Sequence, residues 1–462
     1  MPKLERLALP FYTEGIIRPA AIDELSALPS SLSLAVNVNF DRIGAIQTRA
    51  GSTIIGSEIV ASTPILGLHN HINNANTVYR LLAKVGTAVY DYDGAIWTVR
   101  RTGLTASSKA RFTSLVDYTF MVNGNSNQAC ASYAGGSFGS VNVASLPAGD
   151  CIENFRSRIW IADSSTDKVY YSDVVTTDNT ITGGTSFIQI SPQDGDKITG
   201  LKRSSNALLV FKQHHIYRVY SINSVDPDPY INVGTYSQES IIECQSGIFF
   251  HSPEAFYQYA STPVDISKKI IDVVQAIPRI NYENICSWED GNHLYWSIGD
   301  ITLSGISLSN IVCRYTLSKQ IWALYSYPYG IRSVAKYDDG TTIINALGGD
   351  NGKAYSFNTG NDDDGSPIFY DVETQWYYIS NLKADIKKIQ DISALFENAQ
   401  GAKISYMIDT DNPNDWKPIG EITEELSQVF SLNSESFIRI KFRLDGNIIG
   451  SPLIFRGFEI LN

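Results

Sequence analysis

The sequence predicts an all-β chain: a β-propeller of six or seven blades with a C-terminal β-sandwich-like domain. The first observation behind this is a phrase that recurs seven times. It reads apolar, then Tyr or a small apolar residue, then a spacer, then an aromatic or small polar residue. The copies are Val89-Tyr90-Asp91-Tyr92, Ala129-Cys130-Ala131-Ser132, Val169-Tyr170-Tyr171-Ser172, Ile216-Tyr217-Arg218-Val219, Phe256-Tyr257-Gln258-Tyr259, Val312-Cys313-Arg314-Tyr315 and Ala354-Tyr355-Ser356-Phe357. Their second positions are 40, 40, 47, 40, 56 and 42 residues apart, the spacing of propeller blades. The second observation is the hairpin around most copies, plainest in Leu208-Leu209-Val210-Phe211, the polar Lys212-Gln213-His214-His215, then Ile216 to Tyr220. Alternating apolar residues on both sides of a short turn give a hairpin with one buried face. Such a hairpin is stable only when copies pack on one another, which places each phrase Tyr between blades. The third observation is composition: Tyr, Phe and Gly are plentiful and only three Met occur, which favours strands and turns. The competing reading is an ordinary β-rich domain, since 26 Tyr make chance copies of the phrase common.

Taken in order, residues 1–60 read as an N-terminal arm and hairpin, with a brief helical turn around Asp23 to Leu28 closed by Pro29. Ala35 to Phe40 alternates as a strand, Asp41 to Gly44 turns, and Ile46 to Arg49 begins the return. Residues 61–372 form the propeller. Its units are marked by turns such as Val85-Gly86, Asp93-Gly94 and Asn123-Gly124, a Gly/Ser-rich loop at 134–140, a polar connection at 176–185, and Asp194-Gly195-Asp196. The longest step holds one helix, with Asp265 as its cap and Ile266, Ile270, Ile271, Val274 and Ile277 as a core-facing stripe before Pro278. After Asn361 to Pro367 the rhythm changes. Residues 373–462 show strands at Gln390 to Phe396, Lys403 to Ile408, Phe437 to Phe442 and Leu453 to Ile460, with turns at Asn412-Pro413 and Asp445-Gly446. That pattern reads as an antiparallel sandwich.

Hydrophobic residues make up 43% of the chain and charged residues 18%, a globular composition too apolar for disorder. No run of about 18 apolar residues offers a membrane span, and Met1 to Arg6 lacks the apolar core of a secretion signal. The five cysteines, 130, 151, 244, 286 and 313, follow no paired spacing and read as reduced structural residues. A net charge of −12 argues against a surface that grips nucleic acid, and it does not forbid a protein that DNA slides past.

Several clusters invite chemistry. Ser287-Trp288-Glu289-Asp290-Gly291 with Trp296 approaches the Asp-box of sialidase propellers, but occurs once and out of register, so a hairpin turn explains it. His69 and His71 share one strand face without a third metal ligand, and His214-His215 fall in a turn. Asp362 to Asp364 and Asp409 with Asp411 lack the full calcium loop and its terminal Glu. The sequence therefore offers no catalytic, cofactor-binding or metal site.

The stretch from Asn37 to Gly51, in which Asn37-Val38-Asn39-Phe40-Asp41 precedes Gly44 and Arg49-Ala50-Gly51, resembles the opening of tailed-phage tail proteins. Val169 to Asp173, Asp194 to Leu201 and Leu209-Val210-Phe211-Lys212 are similar to the middle of the same group. The resemblance, over roughly residues 35–220, is to the tail hub or nozzle proteins of short-tailed bacteriophages, also called phage stabilisation proteins. It implies a virion structural protein of the tail, assembled in the host cytoplasm as a homohexameric ring below the portal and adaptor. Such a ring extends the DNA channel, helps retain packaged DNA and anchors fibres or spikes. The family offers no catalytic residues to carry over. Two alternatives stand beside it: a carbohydrate-binding or glycosidase-type propeller, and a phage fibre or head-decoration protein.

Overall fold

A computed structural model of the chain describes residues 6–9, 14–18, 30–124, 128, 130–139, 145–175, 181–192, 194–226, 230–378, 387–410, 412, 415–432, 436–437, 439–448 and 450–461. The architecture follows from its most apolar strands. Every residue of Leu208–Lys212 is buried, and successive side chains of a strand point to opposite faces. Leu208 and Val210 share a core with Trp160, Ala162 and Val169, while Leu209 and Phe211 share the next one with Ile248 and Phe250. In Arg158–Asp163, likewise, Ile159 and Ile161 meet Phe120 and Val122 on one side, and Trp160 and Ala162 meet Val210 on the other. A strand covered on both faces sits between two neighbouring sheets.

Repetition of this arrangement gives seven four-stranded antiparallel blades. Their first strands begin at Ile65, Arg111, Cys151, Ile198, Ile242, Cys286 and Ile331. Blade 4 carries a short extra strand, Tyr230–Ile231. Each of the seven interfaces has a hydrophobic core, and the one between blades 5 and 6 runs on into the sandwich. The ring closes where Ile65, Leu81 and Ala83 of blade 1 meet Tyr337, Ala346 and Ala354 of blade 7. The chain is thus an all-β propeller.

The recurring phrase falls each time on or just before the third strand of a blade. Ala129, in the second copy, lies outside the described residues. Cys130, Tyr217, Cys313 and Tyr355 are buried in inter-blade cores, and Tyr90 and Tyr257 pack half-buried against two others. Tyr170 departs from this pattern: its half-buried ring lies 5.6 Å from Phe187 of its own blade.

Blade 7 takes its fourth strand from the start of the chain. Ser52–Ile54 pairs antiparallel with Phe357, Ser356 and Tyr355, so residues expected in a separate arm complete the propeller. A second correction concerns the other boundary. Phe369–Thr374, whose first residues were expected at the end of the propeller, pairs with Leu32–Val36 and Ile440–Asn447. Leu32–Val36 also touches the outer strand of blade 6 in parallel, Val36 opposite Leu324. Blade 6 therefore continues into one sheet of the sandwich, whose further strands are Ile440–Asn447, Lys403–Ile408 and Lys417–Glu421. The second sheet runs Val38–Asn39, Ile46–Thr48, Ile454–Leu461, Asp391–Glu397, Ser427–Ser431, with Arg6–Ala8 on Ile454–Leu461. The sandwich is thus built from both ends of the chain.

The expected helix shrinks to Ile271–Ala276, flanked by 3₁₀ turns at Lys268–Ile270 and Arg279–Asn284. Asp265 still belongs to the outer strand of blade 5 and binds the Ser267 N–H and hydroxyl, so it caps no helix. The apolar stripe is core all the same, with Ile270, Val273, Val274 and Ile277 buried. Asp445-Gly446 is strand, not turn: Gly446 sits in the ladder opposite Tyr370, where a Cβ would meet the Tyr370 hydroxyl at 2.7 Å. The helical turn at 23–28, residues 140 and 176–180, and Pro413 lie outside the described residues. All five cysteines are free thiols. Among the described residues no helix is long and apolar enough to cross a membrane.

Candidate functional site

The axis of the propeller is occupied by a polar turn from blade 5. Thr235, Ser237 and Ser240 are fully buried and close the turn on themselves: the Ser240 hydroxyl donates to the Ser237 carbonyl at 2.8 Å, and the Thr235 and Ser240 hydroxyls meet at 2.8 Å. This presents Gln238 and Glu239 to the centre. Gln238 donates to the Ile152 carbonyl of blade 3 at 3.1 Å. The Glu239 carbonyl accepts from Ser287 of blade 6 at 2.7 Å. Its carboxylate takes Arg111 at 2.6 and 3.2 Å, Lys109 at 3.2 Å and the Ser237 hydroxyl at 2.8 Å. Burial opposes the charge of Glu239, but Arg111 and Lys109 outweigh it and hold the carboxyl far below its usual range. Beside this cluster is a cavity of about 230 Å³, lined also by His69 and Arg332. Ion pairs crossing the axis beside so small a cavity leave no passage for a polymer.

A second built site joins the two domains. Asn37 has φ 59 and is buried; there the chain turns from one sandwich sheet into the other. Its amide donates to the Phe369 carbonyl at 2.6 Å, and its Oδ1 accepts from Arg49 Nε and the Ser326 N–H, both at 2.8 Å. Arg49, 2% exposed, grips Asp363 at 3.0 and 2.5 Å, and also donates to the Ala50 and Ser326 carbonyls. Ser52 donates to the same carboxylate at 3.0 Å. Asp41 receives Arg314 at 2.6 and 2.8 Å and faces His293 at 3.2 Å, so the hairpin at 41–44 is fastened to blade 6. Gly51 passes so close to Asp362 that a Cβ would lie 1.8 Å from its carbonyl oxygen. The motif residues Asn37, Asp41, Arg49 and Gly51 are thus the fastening between arm, blades 6 and 7, and sandwich.

The clusters weighed from the sequence are all engaged internally. Glu289 pairs with Lys336, while Asp290 accepts from His293 at 2.8 Å and Tyr295 at 2.7 Å. Trp288 and Trp296 are buried and present no flat face to a sugar. His69 meets Ser114 at 2.7 Å, His71 meets Thr119 at 3.0 Å, and those two hydroxyls meet each other at 2.9 Å, so the pair pins blade 1 to blade 2. Burial pushes His69 down to about 3 and His71 to about 4, which leaves both neutral. His214 and His215 both face Asp196, at 3.3 and 2.7 Å. Asp362 accepts from the Gly365 N–H, Asp363 holds Arg49, Asp364 holds Lys353, and Asp409 accepts from the Arg439 N–H; Asp411 lies outside the described residues. Among the described residues no group of three His, Cys, Asp or Glu is arranged to hold a metal ion. Sequence reading missed the Gln238–Glu239 plug, because a run of Thr, Tyr, Ser, Gln and Glu has the composition of an exposed loop.

No family model and no curated protein matches the chain. Among solved structures it is similar to a computationally designed protein (TM-score 0.37, 8% identity, 68% of this chain and 100% of that one). It is also similar to the extracellular domain of a one-component system from B. thetaiotaomicron (0.41, 11%, 81% and 48%) and to a WD40 β-propeller domain (0.39, 10%, 66% and 96%).

Proposed function

We propose that this chain is a non-enzymatic structural protein of a virion, a tail hub or nozzle subunit. In this reading six copies form a ring below the portal and adaptor, extend the DNA channel, help retain packaged DNA and anchor fibres or spikes. The observation that carries it is the use made of the family-like residues. Asn37, Asp41, Arg49 and Gly51 fasten two β domains into one body, while Asp194 with Lys212 and Asp196 with His214 and His215 brace blade 4. Rigid β domains suit the repeated heterologous contacts that close a ring.

The conduit in this reading lies between subunits, since the axis of each propeller is plugged. Acidic residues outnumber basic ones 48 to 36, and a wall with excess carboxylate lets a polyanion slide. Light scattering and negative-stain imaging of the purified protein are expected to give a six-fold ring, and a virion reconstruction is expected to place Asp and Glu around the axial density. A monomer bound off-axis, or a bore lined by Lys and Arg, defeats the proposal.

A second reading, carbohydrate binding, draws on the cleft of about 390 Å³ between blades 4 and 5. It is lined by Asn206, Arg218, Tyr220, Glu243 and Tyr259 among others. Saturable binding of a host-envelope glycan that Tyr259→Ala abolishes would favour it.

A further inference from the structure

The cavity on the propeller axis gathers three cations, Lys109, Arg111 and Arg332, around the single carboxylate of Glu239. This excess is local, in a chain whose net charge is −12. Glu239 takes Arg111 through two nitrogens and Lys109 through one. Backbone carbonyls of Asp150 and Glu283 take one further donor from each. Arg111 also reaches Cys151 Sγ at 3.9 Å, so one of its five N–H groups and one of Lys109's three have no partner among the described residues. Arg332 is more open still: its nearest carboxylate, Asp350, is 4.0 Å away, and no hydrogen bond joins its guanidinium to any described residue. His69, neutral and bound to Ser114, adds no charge. Three cations reach this place from two sides of the ring, Arg332 from blade 7 and the pair from the entry to blade 2.

We infer that the axial cavity is a binding site for a small oxyanion of the size and charge of inorganic phosphate. Guanidinium groups take phosphate oxygens in pairs, and a tetrahedral anion presents oxygens to several donors at once. About 230 Å³ admits such an ion with a few waters, while the plugged axis shuts out nucleic acid. Bound there, the anion would tie blade 7 to blade 2 across the closure of the ring and stabilise the folded chain by mass action. This site stands apart from the hub reading, because each propeller carries it whether or not subunits assemble.

The test is calorimetric titration of the full-length protein with sodium phosphate in chloride buffer at constant ionic strength, paired with thermal unfolding. One saturable site per chain is expected, with Tm raised by about 3 °C at phosphate a hundredfold above its Kd. Arg332→Gln is expected to weaken binding at least about tenfold, the order of one lost charge-assisted contact, and Arg332→Lys to retain most of it. Both variants should match the parent Tm in phosphate-free buffer, since the side chain is 34% exposed. Absence of saturable heat and of a phosphate-specific Tm rise in the parent protein overturns the inference, as does unchanged affinity in Arg332→Gln.

Discussion

Arg49 has a partner for each of its five N–H groups and shares a buried environment with the one carboxylate that matches it, Asp363. Removing one member of such a pair strands the other, at a cost of about 3–5 kcal/mol. Asp363→Asn is therefore expected to lower the unfolding free energy measured in urea by that order, more than Asp364→Asn, whose Lys353 partner is 30% exposed. His293 adds a pH dependence. Its Nδ1 donates to Asp290 at 2.8 Å and its Nε2 faces the Asp41 carboxylate at 3.2 Å, so both neighbours favour the imidazolium. Burial opposes this charge, the two facing carboxylates outweigh burial, and the pKa lies above its ordinary value. Its contribution is complete below about pH 6.5 and fades as pH rises through the raised pKa. His71 and His251 act in the opposite sense: burial pushes them down to about 4 and about 3. Protons that the unfolded chain binds below about pH 6.5 therefore weigh against the fold. Tm should peak near pH ~6.5, and His293→Gln should flatten the alkaline side while leaving the acid side unchanged. The sequence exposed Asn37, Asp41 and Arg49 as a motif. It could not expose Asp363, His293 or Arg314 as their partners, because nothing local links residues hundreds of positions apart.

At the scale of elements, the third strand of each blade was legible because its signal is short-range: alternation, a turn and an aromatic recur within ten residues. Tyr217, buried between blades 3 and 4, is expected to cost about 3–5 kcal/mol on replacement by Ala, and half-buried Tyr257 clearly less. Chemical denaturation of the two variants side by side checks this order. The strand Ser52–Ile54 was read as part of an arm because its partner is the far end of the propeller. The 265–277 helix was overdrawn for the opposite reason: helical spacing of apolar residues was present, but Asp265 was already committed to a sheet. Ile55 donates its N–H to the Ala354 carbonyl at 2.7 Å, and proline there removes that bond and disturbs the closing strand. Hydrogen exchange in Ala354–Phe357 of Ile55→Pro is expected to accelerate, with blade 3 strands such as Arg158–Asp163 unaffected.

For the whole molecule, seven inter-blade cores and a sandwich grown from blade 6 give one body whose two chain ends lie in the same domain: Ile460 pairs with both Leu7 and Ile392. Its composition told of β structure and of acidity, but not of the axial plug, in which residues of blades 2, 3, 5 and 6 meet at a point. The proposed absence of catalysis belongs to this scale. Purified protein incubated with host-envelope polysaccharides is expected to release no sugar above buffer, and turnover abolished by a single Asp or Glu substitution would revive the glycosidase alternative.

Closure of blade 7 by the beginning of the chain has a consequence for how the molecule is made. On the ribosome, Ser52 emerges long before Phe357, its ladder partner, and Arg6 long before Leu461. At about 5–20 residues per second, Ser52 stays unpaired for about 15–60 s. Blades 1 to 6 can form in order as they appear, but a nascent propeller remains an open arc until blade 7 meets the waiting strand. The sandwich comes later still, once Ile440–Asn447 and Ile454–Leu461 have emerged. A polypeptide cut before residue 354 therefore has neither a closed ring nor a second domain, and one cut between 374 and 440 has the ring but lacks the strands that complete the sandwich.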